Sequence, residues 1–204
     1  MKLQNLQLTP RLQMPRSIEV AGLDPSLRNW GIASGALELG DLSTLKITGL
    51  HVLNAPEPQG KQVRQNSKDV AVAKFLAEKT FEHIQSVKVI FAEIPTGSQT
   101  ARAMASYGIC CGVLGSLQAG GISIIEVTPL EVKMATAGKK TASKREIIEW
   151  AMGVQSNAPW PYYKEKGQMI LSEAKAEHMA DAIGSIYAGF KTSQFQQLMQ
   201  LSQL

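Results

Sequence analysis

Four side chains in this sequence have types and positions that could act together: Asp24, Glu93, His178 and Asp181. Asp24 closes the short β-rich run Ile18–Asp24 and is followed by Pro25 and a turn that ends at Gly31. Glu93 follows the apolar run Val87–Ala92, and an acidic group at the carboxyl edge of such a strand must face either solvent or a cation. His178 and Asp181, three residues apart in a helical segment, lie about 60° apart around the helix, so both can reach one point beside it. Carboxylates that meet at one place are ligands for a hard divalent cation. Each residue also has a plainer explanation, as a turn residue, an exposed strand end or part of a solvated helix face. Glu177 projects close to Asp181, so spacing leaves the fourth member of the set open. The informative point is joint placement: with the first and central strands as neighbours, Asp24 and Glu93 converge at one sheet edge.

A second group is basic. Lys133, Lys139, Lys140, Lys144 and Arg145 surround a loop containing Gly138, a composition suited to phosphate contacts and equally to a solvated loop. Lys61, Arg64 and Lys68 form a weaker patch.

The elements that must position these groups follow from pattern. Ile18–Asp24, Trp30–Glu38 and Leu45–Leu53 read as three successive strands bounded by turn residues, an antiparallel meander. From Ser67, apolar residues recur at spacings of three and four (Val70, Ala73, Leu76, Ala77, Phe81, Ile84), which predicts an amphipathic helix. Val87–Ala92 is a buried central strand, Gln99–Ala119 a helix rich in small residues, and Ile122–Val127 another strand. Helices follow over Pro129–Ala137, over Ser143–Met152 with a Ser143–Glu146 capping box, and over Ser172–Phe190. On the last of these, Met179, Ile183, Ile186, Tyr187 and Phe190 form an apolar stripe set apart from the acidic face. Strand–helix–strand order after Val87 requires parallel pairing through right-handed crossovers. The expected fold is α/β: an RNase H-like mixed five-stranded sheet, antiparallel meander plus parallel strands, flanked by helices. The expected domain spans residues 17–190, with a mobile N-terminal extension at 1–16 and a mobile Gln-rich tail at 191–204.

Composition sets the outer bounds. A chain of 204 residues, 44% hydrophobic and 19% charged, is one globular domain rather than a disordered or modular protein. No apolar run approaches the roughly 20 residues of a membrane span, and the opening segment lacks the apolar core of a signal peptide, so a cytoplasmic location is expected, in the host if the gene is viral. Cys110 and Cys111 are adjacent and point apart, as free thiols in a reducing compartment would. A net charge of +4 favours an anionic partner.

Several strings resemble, in order, the motifs of RuvC-type Holliday-junction resolvases of the RNase H-like superfamily. GLDPSLRNWGIA is similar to the first, an Asp at the end of strand one followed by Pro, a turn and a Gly opening strand two. FAE at Phe91–Glu93 resembles the second, and Gly108 and Gly112 stand where the family places small residues. VTPLEVKMATAGKKTASKREI resembles the substrate-binding segment through Lys133 and Lys144, and EHMADAI the terminal motif through His178 and Asp181. The likeness covers about Ile18 to Phe190.

The resemblance implies a metal-dependent, structure-selective endodeoxyribonuclease that nicks four-way junctions as a homodimer. It implies Mg²⁺ as cofactor, with Mn²⁺ able to substitute, held by Asp24, Glu93 and Asp181. His178 then either ligates metal or transfers a proton. Two divalent ions can hold the attacking water and the leaving oxygen of a phosphodiester, which is why carboxylates are needed. It further implies that Lys133, Lys139, Lys140, Lys144 and Arg145 bind the DNA backbone, Lys133 and Lys144 nearest the scissile phosphate. The chain departs from the family after Glu93, where Ile94-Pro95-Thr96-Gly97 replaces a loop that often carries a stacking aromatic. Ser156–Gln168 is longer than the resemblance predicts; its Trp160, Tyr162 and Tyr163, interleaved with Lys164 and Lys166, suit either base stacking or pinning of the loop to the core. The rival readings are an RNase H-like nuclease acting on flaps or RNA–DNA hybrids, a non-catalytic junction-binding protein, and an actin-like ATPase, for which the chain is too short.

Overall fold

The computed structural model describes residues 17–56, 64–97 and 99–201. Its centre is a five-stranded sheet in the order β3-β2-β1-β4-β5, built from β1 (Ser17–Asp24), β2 (Trp30–Glu38), β3 (Asp41–Leu53), β4 (Val89–Glu93) and β5 (Ser123–Val127). β1 pairs antiparallel with β2 and β2 with β3, whereas β1/β4 and β4/β5 are parallel. This is the mixed sheet expected from the order of elements.

Side-chain alternation divides the sheet between two cores. Val20, Val89, Phe91 and Ile125 point into one; Ala21, Leu23, Ile90, Ala92 and Ile124 point into the other. The second core is closed by α1 (Gln65–His83) and α2 (Ala101–Ala119), the first by α4 (Lys144–Val154), α5 (Glu173–Gly189) and α6 (Ser193–Leu201), with α3 (Pro129–Thr136) beside α5. Both α3 and α4 open with complete capping boxes, Thr128–Glu131 and Ser143–Glu146.

Glycines set how closely α5 lies on the sheet. A Cβ on Gly22 would fall inside the Ala182 carbonyl, one on Gly31 inside that of His178, and one on Gly189 inside the Phe91 ring. Without side chains there, the helix backbone rests directly on β1 and β2.

Three expectations need correction. Residues 193–201 are not a loose tail: Phe195 and Met199, one helical turn apart, are buried, and Phe195 packs edge-on to Phe91 at 5.2 Å. The glutamines of that segment line the other side of an amphipathic helix, so composition misled where the i, i+4 spacing did not. Nor does α5 separate an acidic from an apolar face along its whole length; from Ala182 to Ile186 it is buried all round, between the sheet, α3 and α4. Third, part of the segment Ser156–Gln168 is ordered as a two-stranded ribbon, β6 (Tyr162–Glu165) and β7 (Gln168–Leu171). Apart from Leu171, which packs against the core, its side chains are exposed on both faces, so no alternation of polarity announces it. The expected extension 1–16 and Lys61 lie outside the described residues. Among the described residues no helix is long and apolar enough to cross a membrane.

Candidate catalytic site at the carboxyl ends of β1 and β4

Period-two geometry places the two strand carboxylates. Val20, Gly22 and Asp24 share one face of β1, and Val89, Phe91 and Glu93 share the same face of β4, the face that carries α5. Parallel register pairs Leu23 with Ala92, so Asp24 and Glu93 are the next residues of adjacent strands. Beyond Asp24 the turn is held by Asn54, which donates to the Arg28 carbonyl (2.8 Å) and to Asn29 Oδ1 (2.7 Å).

α5 brings the remaining groups. Because Gly31 admits the His178 backbone, the His178 ring reaches Asp24, its Nδ1 2.6 Å from Asp24 Oδ2. Both side chains are mostly covered, at 17% and 16% exposed. The hydrogen bond to Asp24 outweighs burial and raises the affinity of His178 for a proton, so Nδ1 is the donor in this pair. Asp181, one turn on, is pushed up to about 8, chiefly by burial and then by repulsion from Asp24, Glu93 and Glu177. Glu93 is pushed up to about 7 by burial and by Asp24, while Lys133 opposes the shift. Asp24, Glu93, His178 and Asp181 are thus one electrostatically coupled group drawn from three elements.

Lys133 reaches this group because α3 packs tightly on α5: a Cβ on Gly184 would sit 2.9 Å from the methyl groups of Val132 and Thr136. Lys144, at the start of α4, is bound to Glu177, Nζ to Oε1 2.5 Å. Glu177 thus turns its carboxylate to Lys144 while still lying near enough to Asp181 to raise its proton affinity. The other basic residues lie further out. Lys139 pairs with Glu146 and Arg145 with Glu149 at 2.8 Å, all on the surface, and Lys140 is exposed. Of the second patch, Lys68 lines a cleft of about 460 Å³ together with Arg28 and Arg102, the latter held by a two-pronged bond to Asp69.

Among the described residues no three His, Cys, Asp or Glu side chains are gathered closely enough to form a finished ion cage. The donor set nevertheless suits a hard divalent cation in kind. It contains three carboxyl groups, two of which have their proton affinity raised, first by burial and then by their acidic neighbours, and a bound cation would displace such protons. Gly22 and Gly184 are positions important to the site's geometry that reading the sequence missed, and Gly31 was read only as the residue opening strand two. Their signal was present, as glycines inside strand and helix segments where they cost stability unless a backbone must come close.

The fold has relatives among solved structures. It is similar to Thermus thermophilus RuvC in complex with a Holliday-junction substrate, with 19% identity and a TM-score of 0.58 over 84% of this chain and 92% of that one. Another structure of Thermus thermophilus RuvC matches with 20% identity and a TM-score of 0.56 over 85% and 95%. The yeast mitochondrial Holliday junction resolvase Ydc2 matches with 13% identity and a TM-score of 0.55 over 89% and 85%. The fold is therefore the RNase H-like fold of the RuvC-type resolvases. No family model and no curated protein matches the sequence.

Proposed function

We propose that this chain is a divalent-metal-dependent endodeoxyribonuclease that resolves four-way DNA junctions by paired nicks, acting as a homodimer. The observation that carries the reading is the meeting of Asp24, Glu93, His178 and Asp181 at the carboxyl edge of a sheet with this fold. A coupled acidic cluster there has no structural use, since its members destabilise one another.

Asp24, Glu93 and Asp181 would hold Mg²⁺, or Mn²⁺ in its place. When bound, the cation supplies Lewis-acid stabilisation of the charge that builds on the phosphoryl oxygens. His178 donates Nδ1–H to Asp24 and so orients its ring, which leaves Nε2 as the nitrogen able to accept or return a proton. Lys133, close enough to act on Glu93, places fixed positive charge beside the reacting phosphate. Lys144 keeps Glu177 engaged and stands at the rim for the DNA backbone, with Lys139, Lys140 and Arg145 behind it. The outward face of α2 supports the dimer: Gly108, Gly112 and Gly115 have nothing near them, a surface on which a second helix can lie closely. Paired cuts on a symmetric junction need two sites related by a two-fold axis.

The test offers purified protein an immobile four-way junction, a flap and an RNA–DNA hybrid, each with and without Mg²⁺ or Mn²⁺. Metal-dependent nicking of the junction above the other substrates is expected, together with its loss in Asp24→Asn and Glu93→Gln. Binding without nicking would make the chain a junction-binding protein, and preferential cleavage of the hybrid or flap would make it a different nuclease of this fold.

A further inference from the structure

The ribbon β6–β7 is not needed by the acidic cluster, and its build calls for a separate explanation. Its base is rigid. Trp160 is buried and its indole N–H donates to the Gln155 carbonyl at 3.0 Å, while the Ser172 amide donates to the Pro161 carbonyl at 2.9 Å, closing the ribbon where α5 begins. Beyond that base everything is open to solvent. Four of the ten exposed large apolar side chains among the described residues fall within these ten positions: Tyr162 (47%), Tyr163 (48%), Met169 (64%) and Ile170. Cross-strand pairing sorts them. Tyr162↔Leu171 and Lys164↔Met169 share one face, Tyr163↔Ile170 and Glu165↔Gln168 the other. The tip is a two-residue turn with Lys166 and Gly167 both at positive φ, 47° and 86°, so a lysine occupies the outermost point of the ribbon.

We infer that this ribbon grips a duplex DNA arm beside the scissile phosphate: it lies in a groove, Lys164 and Lys166 reach phosphates, and Tyr162 and Met169 pack on sugar and base edges. The inference rests on the resolvase reading. Charge is compatible with DNA: Lys164 on the strand and Lys166 at the tip outnumber Glu165, and Lys175 offsets Glu173 at the foot of α5, which leaves the segment 162–175 mildly basic. Shape agrees, because two strands about 4.8 Å apart with their side chains fit a major groove about 12 Å wide. Position agrees as well. Ser172 at the ribbon's foot is six residues before His178, about 9 Å of helix, and the ribbon extends about 13 Å beyond its foot. Its contacts therefore fall within one helical turn of duplex from the cut.

The experiment measures binding to a synthetic four-way junction in Ca²⁺, with hydroxyl-radical footprinting, for the full chain and two double variants, Lys164→Ala/Lys166→Ala and Tyr162→Ser/Met169→Ser. Urea melts confirm that both fold. Both variants are expected to bind at least fivefold more weakly and to lose protection of one patch on the arm. The lysine variant alone also loses about 2 from the slope of log Kd against log salt, as two released phosphate contacts require. If the wild type binds and nicks junctions while both variants keep its affinity, slope and footprint, the ribbon proposal is wrong and the resolvase reading stands. Unchanged DNA binding with a shift from dimer to monomer in sedimentation overturns it in favour of a protein interface. A wild type that binds no branched DNA overturns both.

Discussion

The geometry of the site depends on α5 lying against bare backbone, and Gly22→Ala tests that dependence. The added Cβ would meet the Ala182 carbonyl carbon at 2.8 Å and Ile186 Cγ1 at 2.9 Å, with the carbonyl oxygen closer still. Ile186 can turn aside, but the carbonyl belongs to the helix backbone, so α5 must retreat by roughly 1 Å or more before the contact becomes ordinary. Overpacking of this kind costs about 1–3 kcal/mol, and a displacement near 1 Å at a catalytic group can lower rate about a hundredfold. His178 and Asp181 move with the helix while Asp24 and Glu93 stay on the sheet, so nicking should fall about a hundredfold in protein that remains folded. Gly153→Ala is the control, since Gly153 lies in α4 with open space around it and alanine there gains about 0.5–1 kcal/mol from helix propensity. Urea unfolding and single-turnover cleavage of a labelled junction measure the two effects. Full activity and stability in Gly22→Ala would refute the close approach of α5 to β1.

Three further outcomes follow from the same geometry. Glu93 and Asp181, titrating near 7 and 8 when folded and near 4 when unfolded, bind more protons in the native state, so stability should fall as pH rises from about 4 to 8. His178, whose proton affinity is raised by folding, contributes in the same direction, its share being lost as pH rises through its folded value. Thermal melts across this range should show the decline, and millimolar MgCl₂ should flatten it; a profile flat without metal contradicts the coupled cluster. In Asp24→Asn, loss of the carboxylate should lower the proton affinity of His178, Glu93 and Asp181 together, with burial keeping Glu93 and Asp181 above ordinary carboxyl values; NMR titration that moves only one of the three would deny the coupling. Phe195→Ala, removing a fully buried ring from between Phe91 and Phe190, should cost about 3–5 kcal/mol in urea unfolding, whereas a loss below 1 kcal/mol would mean that α6 is not docked.

Much of this arrangement was legible in the residues because it depends on short-range periods. Alternation along Val20–Gly22–Asp24 and Val89–Phe91–Glu93 is a property of the strands themselves, and the three-residue step from His178 to Asp181 is a property of a helix. What could not be read depends on contacts between distant segments. Lys144 is a phosphate-binding candidate by composition, and only the packing of α4 on α5 shows its bond to Glu177. Glycines such as Gly184 look like weaknesses of a helix until the neighbour they admit is known. Trp160, Tyr162 and Tyr163 read as one aromatic cluster, yet the first is buried as an anchor and the other two stand exposed, because a strand begins between them. The glutamines after Lys191 suggested a tail, although Phe195 and Met199 already carried the spacing of a docked helix.

Anomalous scattering from a crystal soaked in MnCl₂ shows whether the acidic groups of β1, β4 and α5 form one divalent-cation site. Mn²⁺ density bounded by Asp24, Glu93 and Asp181 is expected, absent from Asp24→Asn crystals treated alike. Manganese bound only elsewhere, or no ordered ion at saturating concentration, would contradict it.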